Sequence, residues 1–412
     1  MGNTYDVIII GGGPAGSTAG YILGKAGLKV LIIDKSKFPR HKLCAGCITH
    51  KTTRLLERVF GETVADLKGR DVINYASDRY EIYYKDKLLT GKNLNASFHF
   101  VERYKYDNFL LRKAEDAGAG VIEGEGVLSI DPSNNEILTS SGKTFTAKFL
   151  LGADGINSVV RRQFPEYLFD QKAWRQNLAT GLEIFINRPD MENLSHPSLY
   201  FDFVNYGYAW AFPNRDKIIV GIGGLVQKNR RQFMPAFNKF LAALNLGALT
   251  TNNVKGFIFP YGNFLLNPVY KNIFLVGDAA GFADPLLGEG IFYAQRSAEL
   301  ASQSIVEAMK GNNGQAEAQK AAGEKYLQLL HEHIYPELVY AGKIRDFIFT
   351  RLNKFHYLPL KIIMNMLGTK PGEAVHGIRS YRWLRKNSDE NGVGGVASTV
   401  FTFFEKCSRD PI

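Results

Sequence analysis

Val7-Ile-Ile-Ile10-Gly11-Gly-Gly13-Pro-Ala15-Gly16, answered downstream by Lys29-Val-Leu-Ile-Ile33-Asp34, is the stretch that decides the fold. The β-branched run reads as a strand buried on both faces. A helical stretch from Ser17 to Ala26 follows the glycine turn, and Gly27 occupies the position of a helix stop. The second strand ends on an acid, Asp34. Gly11-x-Gly13-x-x-Gly16 is weak evidence alone, but here it lies between strand and helix with an acid about twenty positions on. Such glycines permit a tight turn and bring backbone N–H groups up to a pyrophosphate at the helix N-terminus. Asp34 can accept hydrogen bonds from ribose hydroxyls. Position, spacing and acid together favour dinucleotide binding over a plain βα turn.

The chain has 412 residues, against ~100–200 for an ordinary domain, so two or three structural units are expected. Strand and helix signals of the first kind recur at 101–160 and 270–310. Val121–Ile130 and Thr144–Leu151 read as strands and Arg103–Ala117 as a helix; Asn272–Val276 is a strand before a helix over Gly290–Met309. Between them lie alternating segments, Tyr80-Glu-Ile-Tyr-Tyr84 among them, which suggest antiparallel strands. One helix, Arg231–Leu244, interrupts the second such region. Beyond about Gln315 the pattern is mostly helical. This order implies one domain assembled from discontinuous pieces.

Two more motifs name the cofactor. One is Gly277-Asp278-Ala-Ala-Gly281-Phe-Ala-Asp-Pro285-Leu-Leu-Gly288-Glu289-Gly290-Ile291; the other combines Arg103-Tyr-Lys-Tyr-Asp107 with Gly152-Ala-Asp154-Gly155. In this order and spacing the chain resembles the FAD-binding proteins of the aromatic-hydroxylase superfamily. The resemblance implies that Asp278 or its amide meets the ribityl chain or pyrophosphate. Pro285, Gly288 and Gly290 would form a loop against the flavin ring, with Ile291 opening a helix whose partial positive charge favours the anionic reduced flavin. Arg103 would contact phosphate or ribityl, and Asp154 and Gly155 would join two domains. Ala15, Lys35, Arg40 and Val127 are further cofactor contacts so implied, as are Cys44, Ala45 and Gly46. The fold class expected is α/β. It comprises a discontinuous Rossmann-like FAD-binding domain (1–73, 101–178 and 265–312), an antiparallel-sheet substrate domain (74–100 and 179–264) and a mostly helical C-terminal region (313–412).

Two patches narrow the resemblance. Pro39-Arg-His-Lys42-Leu-Cys44-Ala45-Gly46 is similar to the Pro-Arg-x-Lys-x-Cys-Gly-Gly segment of the geranylgeranyl reductase family, with Ala45 in place of a glycine and Cys47 as an added thiol. Tyr208-Ala-Trp210-Ala-Phe212-Pro213 matches that family's Tyr-x-Trp-x-Phe-Pro strand. The chain is identified as a member on residues 5–310. Alternation puts Tyr208, Trp210 and Phe212 on one strand face, which suits either core packing or the wall of a tunnel for an isoprenoid tail. Tyr206 and Phe201 are placed to extend that wall. Cys44 stands among Arg40, His41 and Lys42, where positive charge lowers a thiol pKa; a catalytic thiol and an inert buried one both remain open. No metal site is expected, since Cys44-x-x-Cys47 lacks a second spaced pair of ligands.

Fifty Lys/Arg against forty Asp/Glu leave a charge of +10, and residues 343–412 hold 12 Lys/Arg and 6 Asp/Glu. The excess suits a diphosphate, a phospholipid head or a membrane surface, while no motif supports nucleic acid. Three cysteines fit a reducing compartment, and no signal peptide or ~20-residue apolar span is read, so a cytoplasmic location is expected. Tyr357–Leu367 and Phe401–Phe404 beside basic residues suit packing or a peripheral membrane contact. The activity expected is saturation of prenyl C=C bonds by reduced FAD, acting on a prenyl lipid or isoprenoid diphosphate. Cys44, Tyr206 and Tyr208 are the candidate proton donors. The electron donor, a ferredoxin or NAD(P)H, is left open because no second dinucleotide fingerprint occurs. Competing readings are a flavin monooxygenase or halogenase, a quinone reductase, and an FAD-binding scaffold without activity. Halogenases carry a related Trp-x-Trp-x-Ile-Pro strand, from which Tyr208 and Phe212 depart.

Overall fold

In the computed structural model, residues 4–191, 194–247, 254–311 and 314–384 are described. Strand Thr4–Ile10 pairs in parallel with Val30–Asp34 on one side and Thr144–Gly152 on the other. The sheet continues to Gly120–Glu123 at one end and to Ile273–Leu275 and Val269–Tyr270 at the other. Its apolar runs are buried on both faces, as near-continuous β-branched sequence requires. Helices Pro14–Lys25 and Ile291–Lys310 pack on it and start at its C-terminal edge. This is the doubly wound arrangement whose ligands bind beyond the carboxyl ends of the strands. The single strand read over Val121–Ile130 is two strands, Gly120–Glu123 and Val127–Asp131, because Gly124 turns the chain at φ +77°.

Among the described residues a second sheet has eight strands, in the order Lys255–Pro260, Leu178–Asn187, Lys217–Leu225, Gly207–Pro213, Ser198–Phe201, Ile73–Tyr84, Lys87–Val101 and Cys47–Ile48. It departs from the expected antiparallel sheet at one joint: Ser198–Phe201 runs parallel to Ile73–Tyr84, where the two sequence segments meet. One face carries Ile184, Ile186, Val220 and Ile222 against helix Phe233–Ala243. That helix begins two residues later than the sequence reading, after a turn over Arg230–Gln232. The opposite face looks toward the first sheet.

The C-terminal region supplies the third wall. Helix Gln315–His333 packs on the first sheet, and Tyr326 Oη donates to the Leu275 carbonyl at 3.0 Å. Phe347, Phe349, Leu352, Leu360 and Met364 then pack against Tyr80, Ile82, Phe98 and Phe201 of the second sheet. Tyr357–Leu367 is thus packed on one face, while Ile362 and Met366 are exposed on it; the turn before it, Ile348–Leu352, is a π-helix of the kind often found at functional sites. No helix among the described residues is long and apolar enough to cross a membrane. Cys407, Phe401–Phe404, Arg385 and Lys386 lie outside the described residues.

Candidate active site

A cavity of ≈ 900 Å³ runs from the first glycine turn to the second sheet. At its dinucleotide end, Gly11 has φ +103°, and a Cβ there would lie 2.4 Å from the Ala153 carbonyl oxygen. A Cβ on Gly16 would lie 1.8 Å from the Gly11 oxygen, so Gly16 shapes the turn from beneath without lining the cavity. Helix Pro14–Lys25 begins at Gly13 with no side-chain cap and no acid in its first turn. Its free N–H groups and partial positive charge therefore face the cavity, a ready site for a diphosphate. Asp34 Oδ2 accepts from Gly12 N at 2.7 Å and Oδ1 from Ser36 N at 2.8 Å. A carboxylate offers about four acceptor positions, which leaves capacity for ribose hydroxyls. Ala15, Lys35 and Val127 line the same end.

Arg103 is anchored by a two-pronged contact to buried Asp107, Nε–Oδ1 2.7 Å and Nη2–Oδ2 2.8 Å, and Arg40 Nη1 reaches the same carboxylate at 3.2 Å. Burial works against the Arg103 charge, but Asp107 outweighs it and holds the guanidinium's pKa above its usual value. Cys44 interacts with Arg103, and its Sγ accepts from Gly46 N at 3.4 Å. Ala45, Gly46 and Cys47 line the cavity beside it; burial first, then Glu289 and Cys44, push the Cys47 thiol well up, so it is no ready thiolate. Asp154 accepts from Val159 N at 2.6 Å, which spends one oxygen on its own turn, while Gly155 lines the cavity.

Gly288, Gly290, Ile291 and Asp278 meet at the start of helix Ile291–Lys310, a second N-terminus without a side-chain cap or early acid. Lys42 Nζ stands 3.9 Å from Asp278 Oδ2. Gly277 and Pro285 do not line the cavity: Gly277 turns under Ala294, and Pro285 is buried against Gly262 and Gly342. Two uncapped helix ends, an acid at the second strand and fixed guanidinium charge fit a dinucleotide, and the 286–290 loop would be the part that faces its ring. The residues present fit FAD.

The floor is the strand Gly207–Pro213. Tyr208, Trp210 and Phe212 all line the cavity, as alternation requires, with Phe201 beside them. Tyr206 does not: at φ +48° the chain turns its ring to Phe349 and beneath Lys228. The Tyr208 hydroxyl donates to the Leu287 carbonyl at 2.5 Å, tying the floor to the ring-side loop, and burial pushes its pKa well up. Both findings weaken these tyrosines as proton donors.

Residues the sequence reading passed over complete the site. Glu289 lines the cavity, with Lys51 at 2.6 Å and Thr49 Oγ1 donating at 2.8 Å; burial still keeps its pKa raised. Glu183 lines the floor with no exposure and no partner for either oxygen. Its only signal was a lone acid in an alternating strand.

Comparison with known proteins agrees with FAD as the cofactor. The FAD binding domain family matches residues 4–193. An uncharacterized protein of Methanosarcina barkeri is 34% identical over 315 residues, 74% of this chain and 76% of its own. The chain belongs to the FAD-dependent oxidoreductase superfamily. This FAD-dependent oxidoreductase is 28% identical over 355 residues to the 1H-pyrrole-2-carbonyl-(peptidyl-carrier protein) chlorinase of Pseudomonas fluorescens, covering 75% of this chain and 77% of that one. It is 26% identical over 322 residues to the digeranylgeranylglycerophospholipid reductase of Methanococcus vannielii, covering 75% and 79%. Among solved structures, a geranylgeranyl bacteriochlorophyll reductase-like protein from Thermoplasma acidophilum shares the fold at TM-score 0.72 and 23% identity, over 86% of this chain and 89% of that one. A halogenase complexed with phloroglucinol and FAD gives 0.70 at 17%, over 97% and 85%.

Proposed function

We propose that this oxidoreductase saturates C=C bonds in the prenyl chain of a lipid or isoprenoid diphosphate. The observation that carries this reading is the apolar extension of the cavity. From the loop at 286–290 it continues over Tyr208, Trp210 and Phe212 and under Phe347, Phe349, Leu360 and Met364. A pocket of that lining suits a long hydrocarbon with few polar points. The digeranylgeranylglycerophospholipid reductase among its relatives supports the same substrate class. Bound FAD, once reduced, supplies the electron pair and one hydrogen that an alkene must gain.

The chain's residues bind, orient and exclude. The Gly13 helix end and Arg40 would hold diphosphate charge and Asp34 would hold ribose, while Arg103 is locked in place by Asp107. The Tyr208–Leu287 bond fixes the distance between floor and loop. The aromatic and aliphatic walls keep water from the alkene. Basic side chains toward the C-terminus suit an anionic head group or a membrane surface, and a ferredoxin or NAD(P)H is the electron source.

The test is anaerobic. The yellow protein is reduced with dithionite and mixed with geranylgeranyl compounds bearing different head groups. Flavin reoxidation with a mass gain of two per bond supports the reading; no reoxidation by any of them overturns it. The chlorinase relative favours a second reading, an oxygen-using halogenase or monooxygenase. Oxygen uptake coupled to a halogenated or hydroxylated product would establish that one instead.

A further inference from the structure

We propose that Glu183 is the acid that protonates the alkene, with Trp210 Nε1 as the second polar contact at that point of the cavity. This rests on the prenyl-reductase reading. An isolated alkene accepts an electron pair poorly unless a proton arrives at the other carbon, so the site needs a positioned acid. The π bond breaks. One new C–H bond takes its proton from a Glu183 oxygen, and the other C–H, with both electrons, comes from the reduced flavin. Balance requires that the carboxylate left behind take up one proton before the next turnover.

Placement supports this. Gly181, Glu183 and Phe185 alternate with Leu182, Ile184 and Ile186, which face the helix Phe233–Ala243. Glu183 is thereby turned to the cavity side, where it is fully buried and both oxygens lack a partner. Its register partner is Gly221, which is also the partner of Trp210 on the other side. A Cβ on Gly221 would fall 2.3 Å from Trp210 Cζ2 and 2.7 Å from Nε1. The indole therefore lies over the gap between Trp210 and Glu183, and its N–H has no acceptor either. Tyr208, whose hydroxyl meets the ring-side loop, is two residues from Trp210. The Glu183 row thus lies one pleat, about 7 Å, beyond the row that touches that loop. A substrate lying against the loop and stretched along the floor crosses the row of Trp210, Gly221 and Glu183.

Burial keeps Glu183 protonated at neutral pH, raising its pKa to about 8. Lys255 is opposite it in register on the edge strand, and among the described residues burial is the cause of the shift. Tyr208 on the floor strand and Tyr261, just past the edge strand, stay protonated. The other candidate acids are engaged: Glu289 is paired with Lys51 and accepts from Thr49, Tyr208 donates to Leu287, Cys44 is held at Arg103, and Tyr206 is outside the cavity.

Two measurements test the proposal on the flavin-loaded chain. Infrared difference spectra of wild type against Glu183→Gln at pH 7 should contain a protonated-carboxyl carbonyl band that titrates away near pH 8; an ionised carboxylate at pH 7 overturns the proposal. In the anaerobic assay, reduced Glu183→Gln should bind a geranylgeranyl lipid within about threefold of wild type but reoxidise at least ~10²-fold more slowly. The wild-type rate should fall above pH 8 and the variant's should not. Glu183→Asp, an acid on a shorter arm, should recover part of the rate. Wild type reoxidised by prenyl lipid with Glu183→Gln equally fast overturns the assignment and leaves the reductase reading standing. Wild type that no prenyl compound reoxidises overturns both.

Discussion

Single side chains decide whether this site can fill and react. Asp107 is fully buried between two guanidinium groups, so Asp107→Asn leaves Arg103 and Arg40 without their counter-charge. Removing one partner of a buried pair costs about 3–5 kcal/mol; urea unfolding should show a loss of that order, with weakened flavin retention in the same preparation. Glu183 gives a pH signature. Its folded pKa, about 8, lies above the ordinary 4.5, so the folded state keeps a proton that the unfolded chain has lost. Stability from this group is complete below pH 4.5 and declines as pH rises to 8, then levels off. The slope approaches about 1.4 kcal/mol per pH unit in that window. Melting temperatures across it should fall for wild type, and Glu183→Gln should remove this component of the slope.

At the scale of elements, close approach matters more than conformation. A Cβ at Gly221 would collide with the Trp210 ring, so Gly221→Val must drive the indole from the floor. The expected variant remains yellow, because the dinucleotide end is untouched, but binds prenyl lipid at least tenfold more weakly in a titration of flavin absorbance. Gly16→Ala should do the reverse: with 1.8 Å to the Gly11 oxygen the first turn cannot close, and the purified chain should be colourless. The first forty residues announced their own structure because local periodicity, glycine placement and the acid at Asp34 agree over a short span. The aromatic strand was equally plain, since alternation alone brings Tyr208, Trp210 and Phe212 to one face. Tyr206 was misread because its left-handed backbone breaks that alternation. Glu183 was passed over because its meaning comes from three strands side by side, and register between distant strands is not written in any one of them.

Taken whole, the molecule closes one cavity with three remote parts of its chain. The turn at 11–16, the strands from 178 to 260 and the helices beyond 335 all contribute to its lining. A ligand common to all three should couple their melting. Stripping the flavin should lower the melting temperature of the folded chain, and FAD at 100 times its Kd should restore ~2.7 kcal/mol of stability. Circular dichroism and tyrosine fluorescence should report one shared transition; separate transitions for the C-terminal helices would refute that coupling. Those helices lie beyond the 5–310 resemblance, and in sequence only their helical pattern is legible, because their apolar faces are specified by the surface they cover.

The central strand Thr4–Ile10 has a neighbour on its far side only in Thr144–Gly152, and Ile273–Leu275 completes that edge later still. During synthesis at ~5–20 residues per second, the ribosome needs roughly 7–30 s after Ile10 to deliver residue 152. Through that interval a bare, β-branched ribbon waits with one row of amides unclaimed, an invitation to aggregation. A chaperone that covers this strand until residue 152 emerges should therefore raise the yield of folded protein in cell-free synthesis.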